Sequence, residues 1–439
     1  MPSPRRQLRA RDVERFVRER CFTPAQGDLV GVELEQLVFH VDQPRAGVDH
    51  ATVTTAVAAS GRSPGGSTVT YEPGGQLEVS SPPRRGPEAA CAAAADDLAV
   101  VGAAVEAAGL RLVGMGLDPV RPCRRVIEGP RYRAMEAYFD ASGSTGIEWA
   151  PGHHAAASHR TGRMAGGRTM MCSTASVQIN LDIGREASQG ERWRLAHRLG
   201  PVLLASFANS PFIGGAPHGM RSGRAAVWAS IDPTRTDPAV LAAGEDPAAA
   251  WAGYALAARV MLVRVSERCY EPMLAPLPFA RWIDEGHELG WPTGEDLEYH
   301  LSTLFPPVRP RGWLELRMLD ALPDPWWQVA VAVSAALVDD GEAAARATVA
   351  TVATEGMWAD AARHGLGHPA LAGAARTCFA AALEALPRLG AGASTIGVVA
   401  DFFDRFVDRG RCPADDLLDG WRRHGECLAR PLPLEASWR

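Results

Sequence analysis

The sequence predicts an α+β protein in which a mostly antiparallel sheet forms a reactive face, helices back it, and the C-terminal region is helical. Three observations carry that prediction. Segments of period-two polarity recur at 29–41, 76–80, 173–182 and 312–318. Pro73-Gly74-Gly75 supplies a tight turn between two of them, since Pro presets φ and Gly accepts φ > 0. From Pro325 to Cys427 the pattern is helical and Ala-rich, with breaks around Gly365 and Gly390.

Taken in order, residues 7–20 read as a short charged helix and LVGVELEQLVFHV (29–41) as a long strand. A Pro/Gly-rich stretch at 61–66 leads into strand, turn and strand over 68–81. An Ala-rich helix follows from Pro87 to about Ala108, then a strand at 110–116. Residues 129–141 suit a helix that opens with Pro130 in its first turn. The stretch 142–168, with His153 and His154, lacks periodicity and reads as a long irregular connection. A strand at 173–184, an amphipathic helix at 190–210 and a strand at 312–319 complete the N-terminal part. No internal repeat is found. The division is 1–324 for the α+β core and 325–439 for the helical region, packed together as one unit.

Composition narrows the chemistry. All 45 basic residues are arginine, which excludes a P-loop, a Schiff-base lysine and a kinase-type catalytic lysine. Any phosphate must be handled by arginine, backbone amides and metal ions. The net charge of −6 argues against nucleic acid as a partner. The eight cysteines are scattered without metal-like spacing, which fits a reducing compartment. Without an apolar leader or an uninterrupted apolar run of about 18 residues, the expectation is a cytoplasmic protein with no membrane partner.

The four patterned strands share one property. Residues two apart point to the same face, so Val30, Val32, Leu34 and Val38 oppose Glu33 and Glu35, which stand about 7 Å apart. Leu77 and Val79 oppose Gln76, Glu78 and Ser80. Val177, Ile179 and Leu181 oppose Ser176, Gln178, Asn180 and Asp182, and Leu314, Leu316 and Met318 oppose Glu315 and Arg317. One such strand is an ordinary half-solvated strand. Four together, carrying acids and amides with a single arginine, make a face too acidic to exist without cations. Glu33, Glu35, Glu72, Glu78 and Glu315 are hard oxygen donors suited to Mg²⁺, or Mn²⁺, rather than to zinc or copper. Carboxylate-bound Mg²⁺ usually serves a polyphosphate, and Arg317 on the same face supplies a fixed cation for a transferring phosphoryl group. The residues alone thus point to a metal–nucleotide enzyme.

GVELEQ (31–36), EPGGQLEVSSPP (72–83), RYRAMEAYF (131–139), STASVQINLD (173–182), FANSPFIGGAPHGMRSGRAAVWASIDPTR (207–235) and GWLELRMLDALP (312–323) occur in that order. Together they resemble the plant and bacterial type of glutamate–cysteine ligase within the glutamine synthetase-like superfamily, closest to the actinobacterial branch that serves ergothioneine synthesis. The resemblance covers roughly residues 25–330. It implies a curved sheet of about six strands around the active site. It also implies a two-step ligation in which ATP phosphorylates the γ-carboxylate of L-glutamate and the amine of L-cysteine displaces phosphate. An acceptor amine other than cysteine is the alternative. By the same resemblance Glu33, Glu35, Glu72, Glu78 and Glu315 are metal ligands for more than one ion, with Gln178 or Asn180 completing the set. Arg317 is the phosphoryl-transfer cation, and Arg131 or Arg133 contacts nucleotide phosphates. Arg224 and Arg235 hold the α-carboxylate of glutamate, and Trp228 walls that pocket. The protein is expected as a monomer or homodimer.

Overall fold

The computed structural model describes residues 8–25, 28–142, 147–148, 163–164, 166–239 and 241–424. Eight strands form one sheet: β1 (Leu29–His40), β2 (Thr68–Tyr71), β3 (Leu77–Ser80), β4 (Arg84–Arg85), β5 (Leu110–Val113), β6 (Ser176–Asp182), β7 (Val308–Pro310) and β8 (Trp313–Asp320). The order is β7-β8-β6-β1-β3-β2, with β4 and β5 on opposite ends of β1, and every pairing is antiparallel. The sheet exceeds the expected six strands because β4 and β7 span only two and three residues, too few to show a period. Most of the irregular connection at 142–168, with His153 and His154, lies outside the described residues.

Register builds the acidic face. Glu35 lies directly opposite Glu78, Glu33 opposite Gln178, and Asn180 opposite Glu315. Side chains of like parity on neighbouring strands share a face, so the acids and amides line up across β3, β1, β6 and β8. The opposite face is apolar and fully buried. Val30, Val32, Leu34, Val177, Ile179, Leu181, Leu314 and Leu316 pack in one cluster with α3 (Gln189–Ser206) and α5 (Trp326–Asp339). Each such side chain contributes roughly 1.5–3 kcal/mol on burial. That cluster runs from Val13 to Val407 without a break at residue 324. Trp326 and Trp327 are buried in it, Trp326 edge-on to Phe402 and Phe406.

Two details depart from simple alternation. Val38, grouped by parity with Val30, Val32 and Leu34, instead packs with Leu77, Val79, Val101 and Val105 in a separate cluster. The twelve-residue β1 outruns β6, which pairs only with residues 30–34, and its far end passes beneath other elements. For the same reason Leu37 and Phe39, which share parity with Glu33 and Glu35, are buried under Val113, Met115 and Phe212. The polar face therefore ends at Glu35.

Candidate active site

Glu35, Glu72 and Glu78 offer carboxylate oxygens that all lie within 4.8 Å of one another. Glu35 and Glu78 come from adjacent strands in register, and Glu72 enters from the turn between β2 and β3. The turn is held tightly. Gly75 sits at φ +87°, and a Cβ at Gly74 would lie 2.0 Å from the Cys172 carbonyl oxygen, so only glycine permits this approach. Gln76 fixes the other side by donating to the Thr174 carbonyl at 2.8 Å. The contacts are to Cys172 in the last turn of α2 (Gly166–Ser173), a helix the sequence pattern did not reveal, and to Thr174 just past its end.

The electrostatics of the trio are those of a site short of positive charge. Burial, then repulsion from Glu78, pushes the Glu35 carboxyl up to about 7. Burial, then Glu35 and Glu78, pushes Glu72 up to about 8. Three carboxylates this close cannot all ionise without a counter-cation. The donor set is all hard oxygen, with Thr70 and Ser80 hydroxyls holding Glu78 at 2.8 and 2.9 Å. These residues fit Mg²⁺ or Mn²⁺.

A cavity of about 240 Å³ opens over the trio, bounded also by Arg131, Tyr132, Trp228, Phe305 and the arginines of β7 and β8. Arg317 points across it, 3.3 Å from Glu315 and 2.5 Å from the Gln178 side-chain oxygen. The Gln178 amide in turn donates to Glu35 at 3.0 Å. Gln178 therefore connects Arg317 to the trio, its side-chain oxygen on the guanidinium and its amide on Glu35. Asn180 is likewise used at both ends. It donates to Glu33 at 3.0 Å and accepts from the Trp313 indole at 3.0 Å. Burial, then Glu315 and Glu78, raises the Glu33 carboxyl.

Glu315 does not join the trio. Its carboxylate is fully buried and receives Arg309 in a bidentate pair at 2.6 and 3.1 Å, with Arg311 and Arg317 at 3.4 and 3.3 Å. Burial opposes ionisation, but Arg309 and Arg317 outweigh it and hold the carboxyl at about 2. Three guanidiniums surround its charge, so in this structure it is an ion-pair hub. Arg309 and Arg311 were missed in the sequence. The turn Pro310-Arg311-Gly312, with Gly312 at φ +84°, folds Arg309 directly opposite Glu315, and VRPRGWLELR contained that signal.

The remaining arginines separate. Arg131 borders the cavity near Glu72, its guanidinium 5.8 Å from the Tyr299 ring and its buried Nε without an acceptor. Arg133, two residues on and so on the other side of the helix, is exposed and pairs with Glu128, away from the site. Arg235 is buried completely. It pairs with Asp232 at 3.0 Å, donates to the Thr303 and Arg259 carbonyls and covers Tyr138. Its donors are spent on these contacts, and it does not line the cavity over the trio.

Arg224 differs. The start of α4 (Gly223–Ala229) is anchored to the end of β8, because buried Asp320 accepts from Ser210 and Ser222 hydroxyls at 2.7 and 2.8 Å. This places Arg224 beside Arg317, with Nη2 donating to the Arg317 carbonyl at 2.9 Å. Nε has no acceptor, and among the described residues no carboxylate pairs with this 4 % exposed cation. Both guanidiniums lie over the Trp228 ring, at 5.6 and 5.8 Å. Arg224, Trp228, Phe305 and Arg317 form the inner wall of a second, mostly apolar cavity of about 690 Å³ that adjoins the first.

The geometry thus joins a carboxylate trio, a fixed arginine and an unpaired buried cation, the parts needed to bring a phosphoryl group to a carboxylate. Glutamate-cysteine ligase family 2 (GCS2) matches residues 29–430. The glutamate–cysteine ligase EgtA of Mycolicibacterium smegmatis is 43% identical over 89% of this chain and 86% of that protein. The EgtA of Mycobacterium tuberculosis is 40% identical over 92% of this chain and 88% of its own. The chloroplastic glutamate–cysteine ligase of Nicotiana tabacum is 29% identical over 60% of this chain and 47% of its length. The chain belongs to glutamate-cysteine ligase family 2.

Proposed function

We propose that this protein joins the γ-carboxylate of L-glutamate to the amine of L-cysteine at the expense of ATP, in the route to ergothioneine, through a γ-glutamyl phosphate. The observation that carries the reading is the pairing of the Glu35/Glu72/Glu78 trio with the unpaired, buried Arg224 on the far side of Arg317. A carboxylate is a poor electrophile, and phosphorylation gives it a leaving group. Glu35, Glu72 and Glu78 would hold a divalent cation, which supplies charge neutralisation at phosphate oxygens when bound.

Arg224 receives the α-carboxylate of glutamate, where a guanidinium released from no other carboxylate gains most. Trp228 and Phe305 wall the side chain and keep water from the acyl phosphate. Arg317, oriented by Glu315 and Gln178, faces the charge that develops during transfer. Arg131, rather than Arg133, is the arginine of its helix placed to contact phosphate. The cytoplasmic location and a monomeric or homodimeric state belong to the same proposal; no described helix is long and apolar enough to cross a membrane.

The test is phosphate release with ATP, Mg²⁺ and glutamate, with and without each of a panel of amines, with products read by mass. Release that requires cysteine, with a γ-glutamylcysteine mass, supports the reading. Turnover only with another amine overturns the acceptor, and silence with every amine overturns the ligase.

A further inference from the structure

We propose that Trp313, with Arg311, forms the platform on which the base of the nucleotide stacks, so that the nucleotide lies along the sheet face from Trp313 toward Arg317. This rests on the reading of the protein as an ATP-dependent ligase. Among the described residues Trp313 is one of few large apolar side chains left open, 36 % exposed. It stands on the reactive face, because residues two apart on β8 share a face and Glu315 follows it by two. It is held there. Its indole nitrogen donates to Asn180 at 3.0 Å, and the Asn180 amide donates to Glu33. Arg311, whose guanidinium lies 5.3 Å from the Trp313 ring centroid, meets among the described residues just Glu315, at 3.4 Å, and also lines the cavity above the acids.

Direction follows from the two ends of the face. The end beyond Glu35 and Arg317 is occupied by the cavity with the unpaired Arg224, which takes the donor acid. In-line transfer requires the nucleotide to approach from the other side of the transferring group. That side runs past Glu315 and Gly31, which presents no side chain, and ends at Trp313. Four residues of strand separate Trp313 from Arg317, about 13 Å, a length that an extended nucleoside triphosphate spans. An anchored, exposed indole beside an arginine at that distance suits a purine ring, since stacking needs a π-face and little else.

The experiment is calorimetric titration of the full-length protein with Mg·ATP and, separately, with Mg·tripolyphosphate, for wild type, Trp313→Ala and Trp313→Phe. Loss of stacking should weaken Mg·ATP by on the order of tenfold in Trp313→Ala. Tripolyphosphate should bind both proteins alike, and Trp313→Phe should stay near wild type although it cannot bond Asn180. The KM for glutamate should not move. Unchanged ATP affinity in Trp313→Ala overturns the platform. Equal loss of ATP and tripolyphosphate also overturns it, and makes Trp313 a prop for Asn180 and Glu33. If the wild type binds neither probe, the ligase reading itself fails, which is a separate result.

Discussion

Arg309→Met should cost this protein about 3 kcal/mol, and the structure supplies the figure in two ways. Glu315 is held at about 2 against an ordinary 4.5. At ~1.4 kcal/mol per pKa unit, the site prefers the charged carboxyl by about 3 kcal/mol. Arg309 is the largest cationic contributor, in bidentate contact and itself buried, with its other donor on the Leu304 carbonyl at 2.9 Å. Independently, removing one partner of a buried ion pair costs about 3–5 kcal/mol, because the other charge is left in place. Urea denaturation at pH 7 measures the loss. The double variant Arg309→Met/Glu315→Met should recover much of it, since the stranded charge is then gone. Linkage adds a signature. A carboxyl with a depressed pKa stabilises above its unfolded value and loses that contribution as pH falls from about 4.5 to about 2. In Arg309→Met that acid-side loss should shrink, so the stability gap to wild type narrows as pH falls through this range. A cost under ~1 kcal/mol, or strict additivity in the double variant, would refute the view that Glu315 is an ion-pair hub.

Glu35→Gln should weaken Mg²⁺ or Mn²⁺ binding and cut turnover at least about tenfold, as expected where one of few oxygen ligands is lost; an unchanged metal-dependence curve for activity would remove Glu35 from the metal set. Glu35 and Glu72 have raised pKa values, so metal-free protein should lose stability as pH rises from 4.5 toward about 8, where the folded state gives up protons the unfolded chain has already released. Added Mg²⁺ should reverse that slope in thermal melts, and a metal-independent pH profile would contradict the trio. Arg224→Met removes a buried cation that no carboxylate among the described residues meets at ion-pair distance, so the substrate-free protein should melt close to wild type while the KM for glutamate rises about tenfold or more. A large fall in stability with unchanged KM would make Arg224 structural.

Much of the fold was legible because the strands that matter are half-buried. Period-two alternation in β1, β6 and β8 identified the face on which Glu33, Glu35, Gln178, Asn180, Glu315 and Arg317 stand. Sequence could not say how the strands pair, and pairing decides which acids meet. Register put Glu35 against Glu78, while Glu315 met Arg309, a residue on a strand too short to show a period. Arg224 and Arg235 illustrate the same limit. Both follow the same motif, yet one is wrapped by Asp232 and two carbonyls while the other is left without an acid. That difference is set by residues far along the chain, such as Thr303 and Asp320, and not by local spelling. Local pattern also overreached at Val38, where the length of β1 carried an apolar position into another cluster.

The central claim is that the γ-carboxylate of glutamate is activated by phosphorylation, and an isotope transfer tests it most directly. Glutamate labelled with ¹⁸O in its γ-carboxylate would be turned over with ATP, Mg²⁺ and cysteine, and the released phosphate analysed by mass. The account predicts one labelled oxygen in each phosphate, carried over when the amine displaces the acyl phosphate. Unlabelled phosphate accompanying amide formation, or label recovered in AMP, would contradict it.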